Sequence, residues 1–133
     1  MTVRRVQGDT LVVLGAQESG TGAALLAKKR GVPVFVSDAG RIKADYKKIL
    51  ADHDIEFEEG GHSAERVLGA TEIVKSPGIP DSAALVRGAI DKGIPVISEI
   101  EFASRYTSST IIGITGSNGK TTTTLLTGHL LKK

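Results

Sequence analysis

The residues best suited to chemistry in this sequence of 133 residues form a glycine-rich segment near its end, 116–122, which reads Gly-Ser-Asn-Gly-Lys-Thr-Thr. The β-branched, apolar run 110–114 precedes it and predicts a strand, and the residues after it predict a helix. Because glycine and asparagine tolerate tight and left-handed backbone, the loop can aim its N–H groups and those of the helix start at one anion. There the Lys120 ammonium would neutralise phosphate charge and the Thr121 hydroxyl would ligate Mg²⁺.

The glycine spacing departs from the strict phosphate-loop pattern G-x-x-x-x-G-K-[ST]. That pattern places glycine six positions before the lysine, where this sequence has Ile114; its glycines are Gly113, Gly116 and Gly119. An ordinary glycine-rich turn is the alternative, but the order of strand, loop and helix favours a phosphate loop. A nucleoside triphosphatase also needs a sheet behind the loop and an acidic metal ligand, so we expect the sequence to be the front part of a larger enzyme.

Composition indicates a globular domain with a core of its own. Apolar residues make up 40% of the sequence and charged residues 24%, which excludes disorder. The net charge is only +2, and the basic residues form short clusters rather than one stripe, which argues against nucleic acid as a partner. The lack of cysteine excludes disulfides and Cys-ligated metal. We expect a cytoplasmic protein without a membrane segment, because no apolar run is long enough and no signal core follows Met1.

Apolar runs alternate with helical patterns along the rest of the sequence, which indicates βα units and a parallel sheet. Strands are predicted at 10–14, 34–36, 55–58, 72–74 and 95–97. Helices are predicted at 21–30, 42–52, 63–68, from a cap at Asp81 or Ser82 to 92, and at 100–106. The run 55–58 alternates apolar and acidic residues, which favours a sheet edge. We therefore predict an α/β fold, a Rossmann-like parallel sheet flanked by helices over residues 1–108, followed over 109–133 by the first strand, phosphate loop and helix of a truncated ATPase domain.

Three predicted strand ends carry residues that suit ligand binding, since ligands of open parallel sheets lie beyond the carboxyl ends of the strands. The loop 15–20 matches G-x-G-x-x-G at its first and third glycines but has Gln17 at the second, where a Cβ hinders the approach of a pyrophosphate. Asp38 lies near the position at which an acidic residue in such folds contacts a hydroxyl or the base of a nucleoside. The alternative is that it caps the next turn. In the segment 76–78, Ser-Pro-Gly, the glycine lets backbone face a ligand; a plain turn is the alternative.

Other titratable residues have simpler interpretations. The three histidines, His53, His62 and His129, are far apart and are predicted to be surface or partly packed residues without a metal. The carboxylates of 56–59 and 99–101 are explained by strand alternation and by the first turn of a helix.

Five segments together resemble the Mur ligases, which synthesise peptidoglycan, and most of all their D-glutamate-adding branch. They read L-G-A-Q-E-S-G at 14–20, V-S-D at 36–38, K-S-P-G-I-P at 75–80, E-I-E-F at 99–102 and G-I-T-G-S-N-G-K-T-T at 113–122. The resemblance covers essentially the whole sequence, in order, and the family's missing phosphate-loop glycine accounts for Ile114. The sequence departs from it at Gln17, where relatives often carry glycine, and at 39–41, where some relatives place threonine and arginine directly after the aspartate.

The resemblance implies a three-domain cytoplasmic enzyme whose first domain holds the UDP part of UDP-N-acetylmuramoyl-L-alanine, the second ATP, and the third D-glutamate. ATP would phosphorylate the substrate carboxylate, and the amine of D-glutamate would attack the acyl phosphate. The residues implied for UDP are Glu18, Ser19, Gly20, Thr21, Asp38, Ser76, Pro77 and Gly78. Those implied for ATP are Gly116, Ser117, Asn118, Gly119, Lys120, Thr121 and Thr122, with Lys120 acting in catalysis and Thr121 holding Mg²⁺.

We expect this chain alone to be inactive, because the D-glutamate site and the other metal ligands would lie beyond Lys133. We also expect the leucines of the last helix, at 125–126 and 130–131, to expose an apolar patch that drives dimerisation. The alternatives left open are another Mur or folylpolyglutamate-type ligase, and a non-catalytic Rossmann module that senses NAD.

Overall fold

A computed structural model describes residues 10–132 of the chain, so the predictions for residues 1–9 and Lys133 lie outside the described range. Five parallel strands form one sheet in the order β3-β2-β1-β4-β5. The strands are β1 Leu11–Leu14, β2 Val34–Ser37, β3 Glu56–Glu58, β4 Glu72–Lys75 and β5 Val96–Ser98. The helices are α1 Glu18–Lys29, α2 Ala44–Asp52, α3 Ala64–Leu68, α4 Ala84–Asp91, α5 Glu99–Ser104 and α6 Lys120–Leu131. The predicted α/β fold with a parallel sheet is confirmed, and β3 lies at an edge as its alternating sequence indicates.

The central strand β1 is buried on both faces, as its continuous apolar sequence predicts. Leu11 and Val13 belong to the core cluster that contains Ala24 of α1, and Val12 and Leu14 to the cluster that contains Val86 of α4. Successive residues of a strand point to opposite faces, so this one strand joins both layers of helices. The alanines on α1 are small enough to let that helix lie close to the sheet.

Several helix boundaries differ from those predicted. Helix α1 begins at Glu18 rather than at residue 21, because the backbone of Gln17 already accepts the first helical hydrogen bond, from Thr21 N–H at 2.9 Å. Helix α4 begins at Ala84, and Asp81 does not cap it: its carboxylate lies 3.2 Å from Lys75 Nζ. Asp81 and Ser82, the two residues predicted as the cap, instead lie in a turn closed by the hydrogen bond from Ala83 N–H to the carbonyl of Pro80 at 3.0 Å.

Two smaller differences have similar causes. Helix α2 begins at Ala44 instead of residue 42, since Ile42 is buried and its N–H donates to Glu59 Oε2 at 2.8 Å. Helix α5 begins at Glu99, one residue earlier than predicted, because Ser98 Oγ accepts the N–H of Glu101 and caps the helix there. It ends at Ser104, two residues earlier than predicted.

The strand predicted at 110–114 is not formed. Ile111 and Ile112 are more than half exposed, and the described sheet ends at β5 without pairing with them. A strand is stable only when a neighbour satisfies its N–H and C=O groups, and the described residues offer none to this segment. The helix predicted after it does form, as α6, which begins at Lys120 directly after a left-handed Gly119 with φ of 73°.

The contact between α1 and the end of β1 generates a stability prediction. A Cβ at Gly20 would lie 1.8 Å from the carbonyl oxygen of Gly15, whereas one at Gly22 would meet nothing within 4 Å. We expect Gly20→Ala to lower the free energy of unfolding by about 2–3 kcal/mol, because backbone must shift. The matched control Gly22→Ala, on the exposed side of the same helix, is expected to raise it by about 0.5–1 kcal/mol. Urea denaturation measures both, and similar effects of the two substitutions would contradict the close approach.

Candidate nucleotide site

The loops after β1, β2 and β4 meet at the carboxyl edge of the sheet. Gly15 N–H donates to the carbonyl of Ser37 at 2.9 Å, and Ser76 N–H donates to the carbonyl of Leu14 at 3.0 Å. Gly15 has a φ of 97°, and a Cβ there would lie 2.9 Å from Ser76 Cβ. Glycine is required at this position by both the backbone conformation and the contact. Three of the strand ends singled out in the sequence are thus brought together.

The residues predicted to form a nucleotide loop after β1 are divided between a short loop, 15–17, and the first turn of α1. Glu18, Ser19 and Gly20 belong to the helix, so their N–H groups have no intrahelical acceptor and are available to an anion. The side chain of Thr21 points inward: it is 3% exposed, and its Oγ1 donates to the carbonyl of Ala16 at 3.4 Å. The exposed carboxylate of Glu18 interacts favourably with the helix dipole but would repel a phosphate. The backbone N–H of Glu18, rather than its side chain, is therefore the group suited to contact a phosphate.

Asp38 joins two of the loops with its carboxylate. Its Oδ2 accepts the N–H of the buried Ala16 at 2.7 Å, and its Oδ1 accepts the N–H of Gly40 at 2.8 Å. The second bond is the turn cap that the sequence offered as an alternative. The first fixes the loop after β1 against the end of β2, a role that the sequence did not predict. Each oxygen retains a lone pair for a hydroxyl or N–H donor of a ligand.

The segment 76–78 forms a tight turn, in which Ile79 N–H donates to the carbonyl of Ser76 at 3.0 Å. Pro77 and Gly78 are exposed on the turn, and Ser76 is half-buried beneath it. The side chain of Lys75 is only 14% exposed and donates from Nζ to the carbonyl of Ile79. A cation is therefore held beside the turn, partly neutralised by Asp81, at a position that sequence reasoning did not single out.

A hydrogen-bonded cluster that the sequence did not reveal adjoins Asp38. The buried hydroxyl of Ser37 lies 2.6 Å from Glu58 Oε1 and 2.6 Å from His62 Nδ1. Ser63 donates to the same carboxylate twice, from its N–H at 2.7 Å and from its hydroxyl at 2.5 Å. The signal in the sequence was indirect: Ser37 and Glu58 become partners because β2 and β3 are neighbours and these two residues pair in the register.

These contacts determine the charge of Glu58. Partial burial raises the pKa of its carboxyl, but the hydrogen bonds from Ser37 and Ser63, together with the positive charge of Arg66, outweigh burial and lower the pKa below its ordinary value. Glu58 is therefore ionised and acts only as an acceptor. The cluster is consequently arranged around one carboxylate that ties the end of β2 to the loop after β3.

A fourth strand end carries a buried carboxyl group. Glu99 follows β5 directly, is 9% exposed, and its Oε1 has no hydrogen-bond partner within residues 10–132. Its place in the first turn of α5 agrees with the sequence prediction, but its burial does not follow from it. Since Ser98 pairs with Lys75, Glu99 lies one residue beyond the sheet at the same edge as Ser76.

The phosphate-loop segment forms a turn before α6. Gly116 and Gly119 have φ of 154° and 73°, which L side chains rarely adopt, so glycine is required at both. Lys120 and Thr121 open the helix, and all the predicted ATP-binding residues from 116 to 122 are exposed. Free N–H groups, one ammonium and hydroxyls suit phosphate and Mg²⁺ chemically.

No group of three His, Asp or Glu residues in the described range could hold a metal by itself. No helix in that range is long and apolar enough to cross a membrane.

The lowered pKa of Glu58 generates a prediction on acid stability. A carboxyl whose pKa is lower in the folded state stabilises that state above its unfolded pKa, and this stabilisation is lost as the pH falls through the folded pKa. We expect Glu58→Gln to be less stable than the wild type at pH 7, and the difference to shrink as the pH falls below about 4.3, the ordinary pKa of a glutamate carboxyl. Urea denaturation across this range measures it, with Glu65→Gln, an exposed residue of α3, as the control. A constant difference would show that the ionised carboxylate is not what stabilises the cluster.

Comparison with known proteins agrees with this geometry. The profile of the family described as the MurD N-terminal domain matches residues 10–84, which is more than half of the chain. The UDP-N-acetylmuramoylalanine–D-glutamate ligase of Bacteroides fragilis is 57% identical over 122 residues, covering 92% of this chain and 28% of the relative. The enzyme of the same name from Porphyromonas gingivalis is 56% identical over 123 residues, covering 92% and 27%. The chain thus spans little more than a quarter of the length of these relatives.

Solved structures support the fold. The chain is similar to a pseudomurein peptide ligase type C from Methanothermus fervidus, with 28% identity and a TM-score of 0.64 over 92% of this chain and 26% of that one. It also shares its fold with the UDP-N-acetylmuramate:L-alanyl-gamma-D-glutamyl-meso-diaminopimelate ligase of Neisseria meningitides, with 23% identity and a TM-score of 0.66 over 86% and 36%. From the family profile and the meeting of the β1, β2 and β4 loops, we conclude that this chain belongs to the MurD N-terminal domain family.

Proposed function

We propose that this chain is the N-terminal part of an ATP-dependent ligase that adds D-glutamate to UDP-N-acetylmuramoyl-L-alanine, and that it holds the UDP part of that substrate. The observation that carries the proposal is the meeting of three loops at the carboxyl edge, where helix N–H groups, Asp38 and the turn at 76–78 face one place. Family membership and the names of the relatives support the reaction. This would be a cytoplasmic step of peptidoglycan synthesis, and hence of cell shape and division.

Within this proposal, residues 1–108 bind UDP and residues 109–133 begin the ATP-binding domain. The diphosphate lies at the first turn of α1, contacted by the N–H groups of Glu18, Ser19 and Gly20. Thr21 supports that turn from inside through its bond to Ala16. Asp38 meets the uridine with its remaining lone pairs. The turn of Ser76, Pro77 and Gly78 borders the nucleoside on its other side.

The ATP phosphates are assigned to the segment 116–122. The N–H groups of Gly116, Ser117, Asn118 and Gly119 and those at the start of α6 surround the phosphate oxygens, and the Thr122 hydroxyl adds a donor. Lys120 neutralises the charge that develops during phosphoryl transfer, and Thr121 ligates Mg²⁺. When bound, Mg²⁺ supplies charge neutralisation and orients the phosphates. The substrate carboxylate takes the terminal phosphoryl group of ATP, with release of ADP, to give an acyl phosphate. The D-glutamate amine then attacks that carbonyl, forming the amide and releasing phosphate and a proton.

The UDP site can be tested by NMR. We expect UDP to shift the backbone amides of Gly15, Gly20, Asp38 and Gly78, because these surround the proposed site, and NADH to leave them unchanged. The Cβ of Gln17 hinders the approach that a dinucleotide pyrophosphate needs. Shifts with NADH alone would indicate a dinucleotide-sensing module and would reduce the segment 116–122 to a structural turn.

The assignment of the D-glutamate site to another part of the protein can be tested by measuring activity. We expect the isolated chain to release no ADP in a D-glutamate-dependent manner with UDP-N-acetylmuramoyl-L-alanine and ATP, because the proposal assigns the amino-acid site to a part of the protein outside these 133 residues. The full-length protein provides the positive control. If the isolated chain released ADP faster than its Lys120→Ala variant, the assignment of the D-glutamate site to another domain would be contradicted. Release by the full-length protein with a different amino acid would favour another ligase of the family.

The exposed face of α6 suggests self-association of the isolated chain. Leu125, Leu126, Leu130 and Leu131 are each between 57% and 71% exposed, and large apolar side chains exposed together on one short helix favour contacts with another molecule. We expect sedimentation to show a concentration-dependent dimer that Leu126→Lys with Leu130→Lys abolishes. If the wild-type chain remained monomeric at millimolar concentration, self-association through α6 would be ruled out.

A further inference from the structure

His62 is bonded through its ring to Ser37, on a turn beside the proposed nucleoside site. Gly60 N–H donates to the carbonyl of Gly40 at 2.8 Å, and Gly61 N–H donates to the carbonyl of Asp38 at 3.3 Å. The turn after β3 therefore lies along the loop that follows β2, and His62 is the next residue of that turn. Its ring is half-buried, with Nδ1 2.6 Å from the hydroxyl of Ser37.

The hydrogen bonds of the cluster determine which ring nitrogen carries the hydrogen. Glu58 is ionised and can only accept, so the single hydroxyl hydrogen of Ser37 is donated to Glu58 Oε1. The Ser37 oxygen is then an acceptor for His62, and Nδ1 must be the protonated nitrogen. In the neutral ring this leaves Nε2 with a free lone pair.

Nε2 is available to a ligand. It makes no hydrogen bond with any residue from 10 to 132, and it is not among the buried unpaired atoms of that range. The acceptor is carried by a ring bonded to Ser37, the last residue of β2, on a turn whose Gly61 N–H is bonded to the carbonyl of Asp38. The two carboxylate oxygens of Asp38 already hold backbone N–H groups.

We propose that His62 is a specificity-determining residue that accepts, through Nε2, the N3–H group of the uracil base. This rests on the proposed function and deepens it. Uracil presents a donor at N3, whereas cytosine presents a lone pair there, which would face the lone pair of Nε2. A buried or partly buried polar atom left without its partner discriminates strongly between such analogues. Ser37 and Glu58 are positioning residues, because they affect the base only by orienting His62.

The test compares UDP, CDP and N3-methyl-UDP binding to the 133-residue chain by calorimetry at about pH 8, where an imidazole is ordinarily neutral. The wild type is expected to bind UDP at least about tenfold more tightly than either analogue. His62→Asn keeps a donor for Ser37 but has no atom at Nε2, so it is expected to lose this preference, chiefly through about tenfold weaker UDP binding. The matched control is His53→Asn, since His53 is exposed at the end of α2 with Nδ1 bonded to the carbonyl of Ile49. It should bind as the wild type does.

The outcomes separate this inference from the function beneath it. If His62→Asn binds UDP and still prefers it as the wild type does, the inference is wrong while the UDP site stands. If the wild type binds no UDP at all, the proposed function fails and the inference with it.

A second measurement avoids any effect of substitution on folding: long-range ¹H–¹⁵N spectra of the wild-type His62 ring. The inference predicts a hydrogen on Nδ1 and a shift of the unprotonated Nε2 on adding UDP; a hydrogen on Nε2 in the free, neutral ring would overturn it.

Discussion

The close approach of the first turn of α1 to the end of β1 is the constraint on which the site depends. With no side chain at Gly20, the helix begins against the carbonyl of Gly15, and with none at Gly15, the loop lies against Ser76. The N–H groups of the helix start thereby lie at the carboxyl end of β1, beside the loop that follows β4. The hydrogen bond from Ala16 to Asp38 then fixes the same loop to β2. One short loop thus determines the relative positions of three strand ends.

Charge is distributed around this edge in a way that suits a nucleoside diphosphate better than a simple anion. Donors are concentrated at the start of α1 and at Lys75, beside the turn 76–78. Acceptors are concentrated on the β2 and β3 side, at Asp38 and in the cluster around Glu58. A ligand with a negative end and a hydrogen-bonding base matches both halves, and UDP has both. On the β5 side, the buried Glu99 has an oxygen, Oε1, without a hydrogen-bond partner among residues 10–132.

Much of this fold could be predicted from the sequence, because the apolar runs of β1 and β2 and the alternation in β3 report directly on burial. The loops after β1, β2 and β4 were identified for the same reason: glycine, aspartate and Ser-Pro-Gly follow apolar runs. What sequence could not reveal depends on contacts between distant segments. The partners of His62 and the burial of Glu99 depend on which strands are neighbours. The start of α1 at Glu18 depends on the close approach of Gly20 to Gly15. The strand predicted at 110–114 is absent because no described strand pairs with this segment. An apolar pattern alone does not form a strand; its N–H and C=O groups also need a neighbour.

The central claim is that UDP binds at the carboxyl edge of the sheet. Intermolecular nuclear Overhauser effects between UDP and the isotope-labelled chain test it most directly, because they give positions rather than affinities. The account predicts contacts from uracil H5 and H6 to Asp38, Ser76 and Gly78, and from the ribose to the loop 15–17. Contacts confined to the segment 116–122, with none to the edge, would show that the nucleotide binds at the other glycine-rich loop and would contradict the account.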